Sequence, residues 1–239
     1  MLKKILALLL SVFMILGVFA ACGTAEAPVE TTQATPTEPE AEAKVLKVLT
    51  LGHSLAVDSC HMINLIAATE GIGQYEEVVI GTLYYSGCSL TMHVGFMSKN
   101  EAVYKLYVSS TDEPNKIPTI MNDVTMEQAL RYDYWDIVVM QESSWDMAAG
   151  DATAIRNNIQ LLQKYVRENC LNPNAELVWH MGWVAPTDNT LRDTYPYPEN
   201  NVYYTRYLPF GDDRNTLYKA TVKSVQEKVV TDEAFQYII

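Results

Sequence analysis

Short apolar runs alternate along this chain with stretches whose apolar residues recur at helical spacing. Lys44–Leu51 (K-V-L-K-V-L-T-L) is a β-branched and Leu-rich run closing at Gly52, the pattern of a buried strand. Val57–Glu70 then predicts a helix with Ile63, Ile66 and Ala67 on its inner face and Gly71 as its stop. Glu77–Leu83 predicts a second strand, Trp135–Gln141 a third and Glu176–Met181 a fourth. Between the last two, Ile155, Ile159, Leu162 and Val166 fall on one stripe of a helix over Thr153–Asn169. Asp213–Val230 repeats the pattern with Leu217, Ala220, Val225 and Val229 inward, and leads to a fifth strand at Phe235–Ile239. Strands alternating with helices of this length imply a mostly parallel sheet with helices on both faces. Ala102–Val108, within residues 91–131, alternates like a surface hairpin strand. Residues 184–212, rich in Pro, Tyr and Asn, read as a long loop over the top of the sheet, and such loops in compact domains are usually functional.

The segment before the first strand has a different character. Met1-Leu2-Lys3-Lys4 precedes an apolar run from Ile5 to Ala21 broken only by Ser11 and Gly17, the arrangement of an export signal. The run is at the short edge for a spanning helix, which needs about 20 residues. It ends in Phe19-Ala20-Ala21-Cys22-Gly23, which resembles the bacterial lipobox, with Phe19 where Leu is usual. That resemblance implies a signal peptide over 1–21, lipidation of Cys22, and a lipoprotein held on the extracellular face of the bacterial membrane. Residues 22–43 carry Glu, Thr, Pro and Ala, no Lys or Arg, and no large apolar residue except Val29, so they predict a disordered acidic tether. Residues 44–239 suit one domain with a sizeable core. Because the chain stops at Ile239 inside an apolar run, that domain is expected to be incomplete at its C-terminus.

A formal charge of −12 argues against a nucleic-acid partner and against an electrostatic grip on anionic lipid. Besides Cys22, the cysteines are Cys60, Cys88 and Cys170, too irregular for a zinc cluster or a disulfide framework, so buried free thiols are expected. The histidines share no metal-ligand spacing with a carboxylate, and no metal or cofactor is expected.

Three local features could carry chemistry. Leu51-Gly52-His53-Ser54-Leu55 follows the first strand directly, and the C-terminal strand ends of an open α/β sheet form its ligand crevice. Ser54 would meet a substrate there, with the N–H groups and positive dipole end of the next helix aimed at developing negative charge. Taken alone, a serine at a helix start is more often a structural cap. Tyr84-Tyr85-Ser86-Gly87-Cys88-Ser89-Leu90 follows the second strand, where a glycine lets the backbone approach a ligand and offer its N–H. Gln141-Glu142-Ser143-Ser144 ends the third and can direct a carboxamide toward the crevice. His180 closes the fourth strand on the same edge, where it could line the crevice, though a strand-end histidine is more often packed and hydrogen-bonded.

A Gly-x-Ser after the first strand, a glycine after the second and a carboxamide after the third, in this chain order, resemble the SGNH (GDSL-type) hydrolase superfamily. The blocks L-G-H-S-L, L-Y-Y-S-G-C-S-L, W-D-I-V-V-M-Q-E-S-S and L-V-W-H-M-G-W look like one secreted bacterial branch of it. The resemblance implies a flavodoxin-like three-layer α/β/α sandwich with a mostly parallel sheet. It also implies a nucleophile at Ser54, oxyanion donors at Gly87 and Gln141, and substrate-binding positions at His53 and His180. His53 stands where the superfamily usually has Asp or Asn, and Gln141 stands for Asn. The superfamily draws its base from an Asp-x-x-His segment after the last strand, whereas here no histidine follows His180. A serine without a positioned base is a poor nucleophile. The expectation is an esterase or deacetylase on O-acylated extracellular glycans. The alternative is a non-catalytic carbohydrate-binding lipoprotein on the same fold, stacking sugars on Trp183, Tyr195, Tyr197, Tyr203, Tyr204 and Tyr207.

Overall fold

A computed structural model of the protein describes residues 44–116, 118–142, 144–182 and 214–239. The signal segment, Cys22, the tether to residue 43 and the loop with Trp183 and the five tyrosines lie outside the described residues.

The described chain runs β1 (Val45–Gly52), α1 (Ser54–Glu70), β2 (Glu77–Tyr84), α2 (Leu90–Ser98), β3 (Tyr104–Ser110), β4 (Thr119–Val124), α3 (Met126–Leu130), β5 (Ile137–Glu142), α4 (Ser144–Ala149), α5 (Ala152–Asn169), β6 (Glu176–Met181), α6 (Arg214–Lys228) and β7 (Phe235–Ile238). The strands form one seven-stranded sheet in the order β4-β3-β2-β1-β5-β6-β7. From β2 to β7 every neighbouring pair is parallel, while β3 and β4 continue the β2 edge as antiparallel strands. The protein is thus a mixed α/β fold with a mostly parallel sheet and helices around it.

Parallel strands buried on both faces need apolar side chains on both, which is why they read as near-continuous apolar runs. On one face, in-register neighbours stack as Leu49, Val138 and Leu177, then Leu51, Met140 and Trp179. Above them lie Leu90 of α2, Ile155, Ile159, Leu162 and Val166 of α5, and Val225 of α6. The opposite face carries Val78 and Ile80 against Cys60 of α1, with Leu46 and Ile72 packed around them. Two helical covers follow from topology. The crossover from β1 to β2 and the one from β5 to β6 run in opposite directions, and right-handed connections then place their helices on opposite faces.

The stripes expected in α5 and at Leu217, Val225 and Val229 are buried. The face expected for α1 is not. Ile63 and Ile66 are 46% and 55% exposed, and the inner stripe is Ala56, Cys60 and Asn64. The reason is close packing: the Cys60 thiol lies 3.4 Å from the Thr50 hydroxyl, and the Asn64 amide donates to the Ser109 hydroxyl. Small and polar residues fit that gap better than isoleucine. Cys60, Cys88 and Cys170 are all free and buried. Among the described residues, no helix is long and apolar enough to cross a membrane.

Candidate active site

Strand order reverses direction between β1 and β5, so the connections leaving their C-terminal ends diverge, and open α/β sheets bind their ligands at such a point. Around that edge the structure gathers the four segments singled out in the sequence. His53 and Ser54 follow β1, the Gly87 turn follows β2, Gln141 and Glu142 end β5, and His180 lies near the end of β6.

Ser54 is the first residue of α1 and is exposed. The helix starts here, three residues before Val57, because His53 caps it. His53 has extended backbone, its Nδ1 accepts from the Leu55 N–H at 3.4 Å, and its carbonyl accepts from the Ala56 and Val57 N–H groups. The cap is therefore His53, and the Ser54 hydroxyl is not needed for that structural task. Just before it, β1 and α1 approach so closely that a methyl carbon on Gly52 would sit 2.6 Å from the Ala56 Cβ and 3.1 Å from the Gln141 Oε1. Gly52→Ala is accordingly expected to destabilise the fold by about 1–3 kcal/mol, the scale of an overpacked core. A denaturant midpoint equal to that of the parent would contradict this.

Gly87 is exposed, in the left-handed region at φ +61°, with open space where a side chain would be. Its turn is closed by the Cys88 N–H donating to the Tyr85 carbonyl at 3.2 Å. The Tyr85 N–H donates to the Gly52 carbonyl at 3.5 Å, which ties the turn to the end of β1. Neither the Ser54 nor the Gly87 N–H is engaged in a hydrogen bond among the described residues.

Gln141 is fully buried. Its amide N–H donates to the Nδ1 of His180 at 2.9 Å, while its Oε1, facing Gly52, has no partner. The carboxamide thus lies beneath the β1–α1 junction, braced against the next strand. His180 is half-buried, and burial holds its imidazole below the usual histidine range.

The opposite side of the strand ends holds His53, already expected as a substrate-binding position, together with Glu142 and His93, to which sequence patterns assigned no role. Side chains alternate along a strand, so Glu142 points away from Gln141, toward α2. It is 4% exposed and accepts from the Leu90 N–H at 3.0 Å. His53 is 4% exposed, and its pKa is lowered to about 4 by burial and by nearby His180, with Asp146 pulling the other way. His93, in α2, is buried against Tyr104, whose hydroxyl lies 2.9 Å from its Nδ1 and whose ring stacks on its own at 5.6 Å. Burial and nearby His53 lower it to about 3. Among the described residues, the Nε2 atoms of His53 and His93 have no hydrogen-bond partner. The signal for this group was present but diffuse: three histidines, an Asp and a Glu spread over four segments that only the sheet brings near one another. Among the described residues, no group of three or more His, Cys, Asp or Glu is arranged to hold a metal ion.

Fold and site together define an α/β protein whose chemistry-bearing residues gather over the C-terminal ends of its central parallel strands. The chain belongs to the DUF4886 family, a domain of unknown function whose model matches residues 47–231. It is similar to the crystal structure of a DUF4886 family protein from Bacteroides uniformis, with a TM-score of 0.66 and 22% identity. That likeness covers 82% of this chain and 67% of the other. No curated protein matches the chain.

Proposed function

We propose that the protein is a serine ester hydrolase of the SGNH type, an esterase or deacetylase acting on O-acylated glycans. In this reading a lipid on Cys22 holds it at the extracellular face of the bacterial membrane. The observation that carries the reading is local. An exposed serine and two backbone N–H groups without hydrogen bonds among the described residues, at Ser54 and Gly87, stand at adjacent strand ends. The order of the parallel strands, β2-β1-β5-β6-β7, is the flavodoxin-like order, and the Ser54 junction lies at its switch point.

The chemistry is acyl transfer in two steps. The Ser54 oxygen attacks the ester carbonyl as its proton leaves to a base. The oxyanion so formed is stabilised by the Ser54 and Gly87 N–H groups, and the alcohol departs with a proton. Water then cleaves the acyl-enzyme by the reverse sequence, releasing the carboxylic acid. Gln141 lies beneath the junction, its amide held on His180 and its oxygen facing Gly52. His53 and His93 are buried with their basicity lowered, and the His180 Nδ1 accepts from Gln141, so no imidazole among the described residues is assigned as the base. The superfamily resemblance would draw it from an Asp-x-x-His segment.

The test uses the mature protein as the cell produces it. Acetate release from an aryl acetate and from acetylated polysaccharide is measured, and the protein is treated with a fluorophosphonate probe. Phosphonylation mapped to Ser54 by peptide mass spectrometry is expected, and labelling confined to other residues would sink the reading. Gly87→Ala places a side chain at positive φ, which costs about 1–2 kcal/mol if the turn holds and rotates the N–H if it gives way. Its kcat is expected to fall at least tenfold, and an unchanged kcat would remove Gly87 from the oxyanion site.

A further inference from the structure

We propose that Glu142 is the positioning residue of the Gly87 turn, its buried carboxylate clamping the start of α2 onto the end of β5. The catalytic consequence rests on the esterase reading; the clamp itself does not.

The connection from β2 to α2 is anchored on both sides of Gly87. Upstream, the Tyr85 N–H donates to the Gly52 carbonyl, two residues before Ser54. Downstream, the Leu90 N–H, the first of α2, donates to the Glu142 Oε2 at 3.0 Å. The Gly87 N–H is thus fixed relative to β1 by one bond and relative to β5 by the other. Those are the two strands between which strand order reverses direction.

The choice of residue is informative. The first turn of a helix has N–H groups with no intrahelical partner, and a neutral cap satisfies them at little cost. Ser89 serves one of them, its hydroxyl oxygen accepting from the Met92 N–H at 3.3 Å, and the Leu90 N–H is met by Glu142 instead. Glu142, 4% exposed, reaches that N–H from another strand, so the bond ties the helix start to β5 as a local cap could not. What the charge adds is strength. An ionised acceptor on a helix N-terminus makes a shorter, stiffer bond and also gains from the dipole. Its field reaches the turn, since burial and then the Glu142 charge push the neighbouring Cys88 thiol up. The alternation that turns Gln141 toward Gly52 turns its neighbour Glu142 toward α2, where it reaches the Leu90 N–H.

The experiment compares the parent with Glu142→Ala and Glu142→Gln in the mature protein. It measures steady-state ester hydrolysis, amide hydrogen exchange over Tyr85–Met92, and the melting temperature. For Glu142→Ala, kcat is expected to fall about 10- to 100-fold with KM within about twofold, the scale of a donor displaced by about an ångström. Exchange at the Leu90 amide should quicken. Glu142→Gln keeps an acceptor oxygen but loses the charge, and should recover both in part, falling between the parent and the alanine variant. Unchanged exchange at Leu90 in the alanine variant would overturn the clamp. Faster exchange with an unaltered kcat would overturn its link to catalysis. If the parent itself cleaves no ester, the esterase reading fails while exchange still decides whether Glu142 holds the turn.

Discussion

Ser54→Ala is expected to lower ester hydrolysis by about 10⁴-fold or more, because loss of a serine nucleophile alone removes nearly all the benefit of the assembled machinery. The fold should be unaffected. Ser54 is exposed, and His53 provides the α1 cap, so no buried contact or cap is lost with the hydroxyl. Parent-like melting together with loss of acetate release is the expected pair of results. Activity that survives the substitution would end the esterase reading. The second oxyanion donor would then be a turn glycine and no more.

The second large effect is on stability in acid. His53 and His93 are held near 4 and near 3 in the folded protein, chiefly by burial, against about 6.5 when unfolded. Above about pH 6.5 both are neutral in either state, and they contribute no pH dependence. As the pH falls below that value, the unfolded chain takes up protons that the folded one excludes, so stability is lost. The loss approaches 1.4 kcal/mol per pH unit for each imidazole, about several kcal/mol in all, and levels off for His53 below about 4 and for His93 below about 3. Denaturant midpoints between pH 6.5 and 5 isolate the effect, since most carboxylates remain ionised there. His53→Asn keeps a capping oxygen and should flatten the slope by about half. An equal slope in parent and variant would show that His53 is not held neutral.

The parallel core was legible because burial on both faces leaves a signature that no local feature competes with. Leu49, Leu51, Val138, Met140 and Leu177 all lie in runs that read as strands, and α5 needs its four-residue stripe to cover a flat face. The α1 face was misread for a physical reason. Ile63 and Ile66 looked like an inward stripe, yet the face against the sheet is Ala56 beside Gly52, Cys60 beside Thr50 and Asn64 bonded to Ser109, a fit set by the strands and not by the helix's own spacing. The short elements α2, α3, α4 and β4 are held by caps and neighbours more than by periodicity. The Thr125–Gln128 capping box of α3 and the Ser89 cap of α2 were the available signals, and neither is distinctive without knowing where the strands lie. At the site, Gly52, Ser54 and Gly87 were marked by their place after strands. Glu142 and the depressed imidazoles depend on which side of the sheet each residue faces, which spacing alone does not convey.

The parallel arrangement gives the central strands two unlike ends. β1 enters at Val45 and delivers Ser54 just past its other end, roughly 25 Å away for eight residues at about 3.3 Å each. The entry point of the sheet and the candidate nucleophile therefore lie at opposite poles of the domain, with the length of the central strand between them.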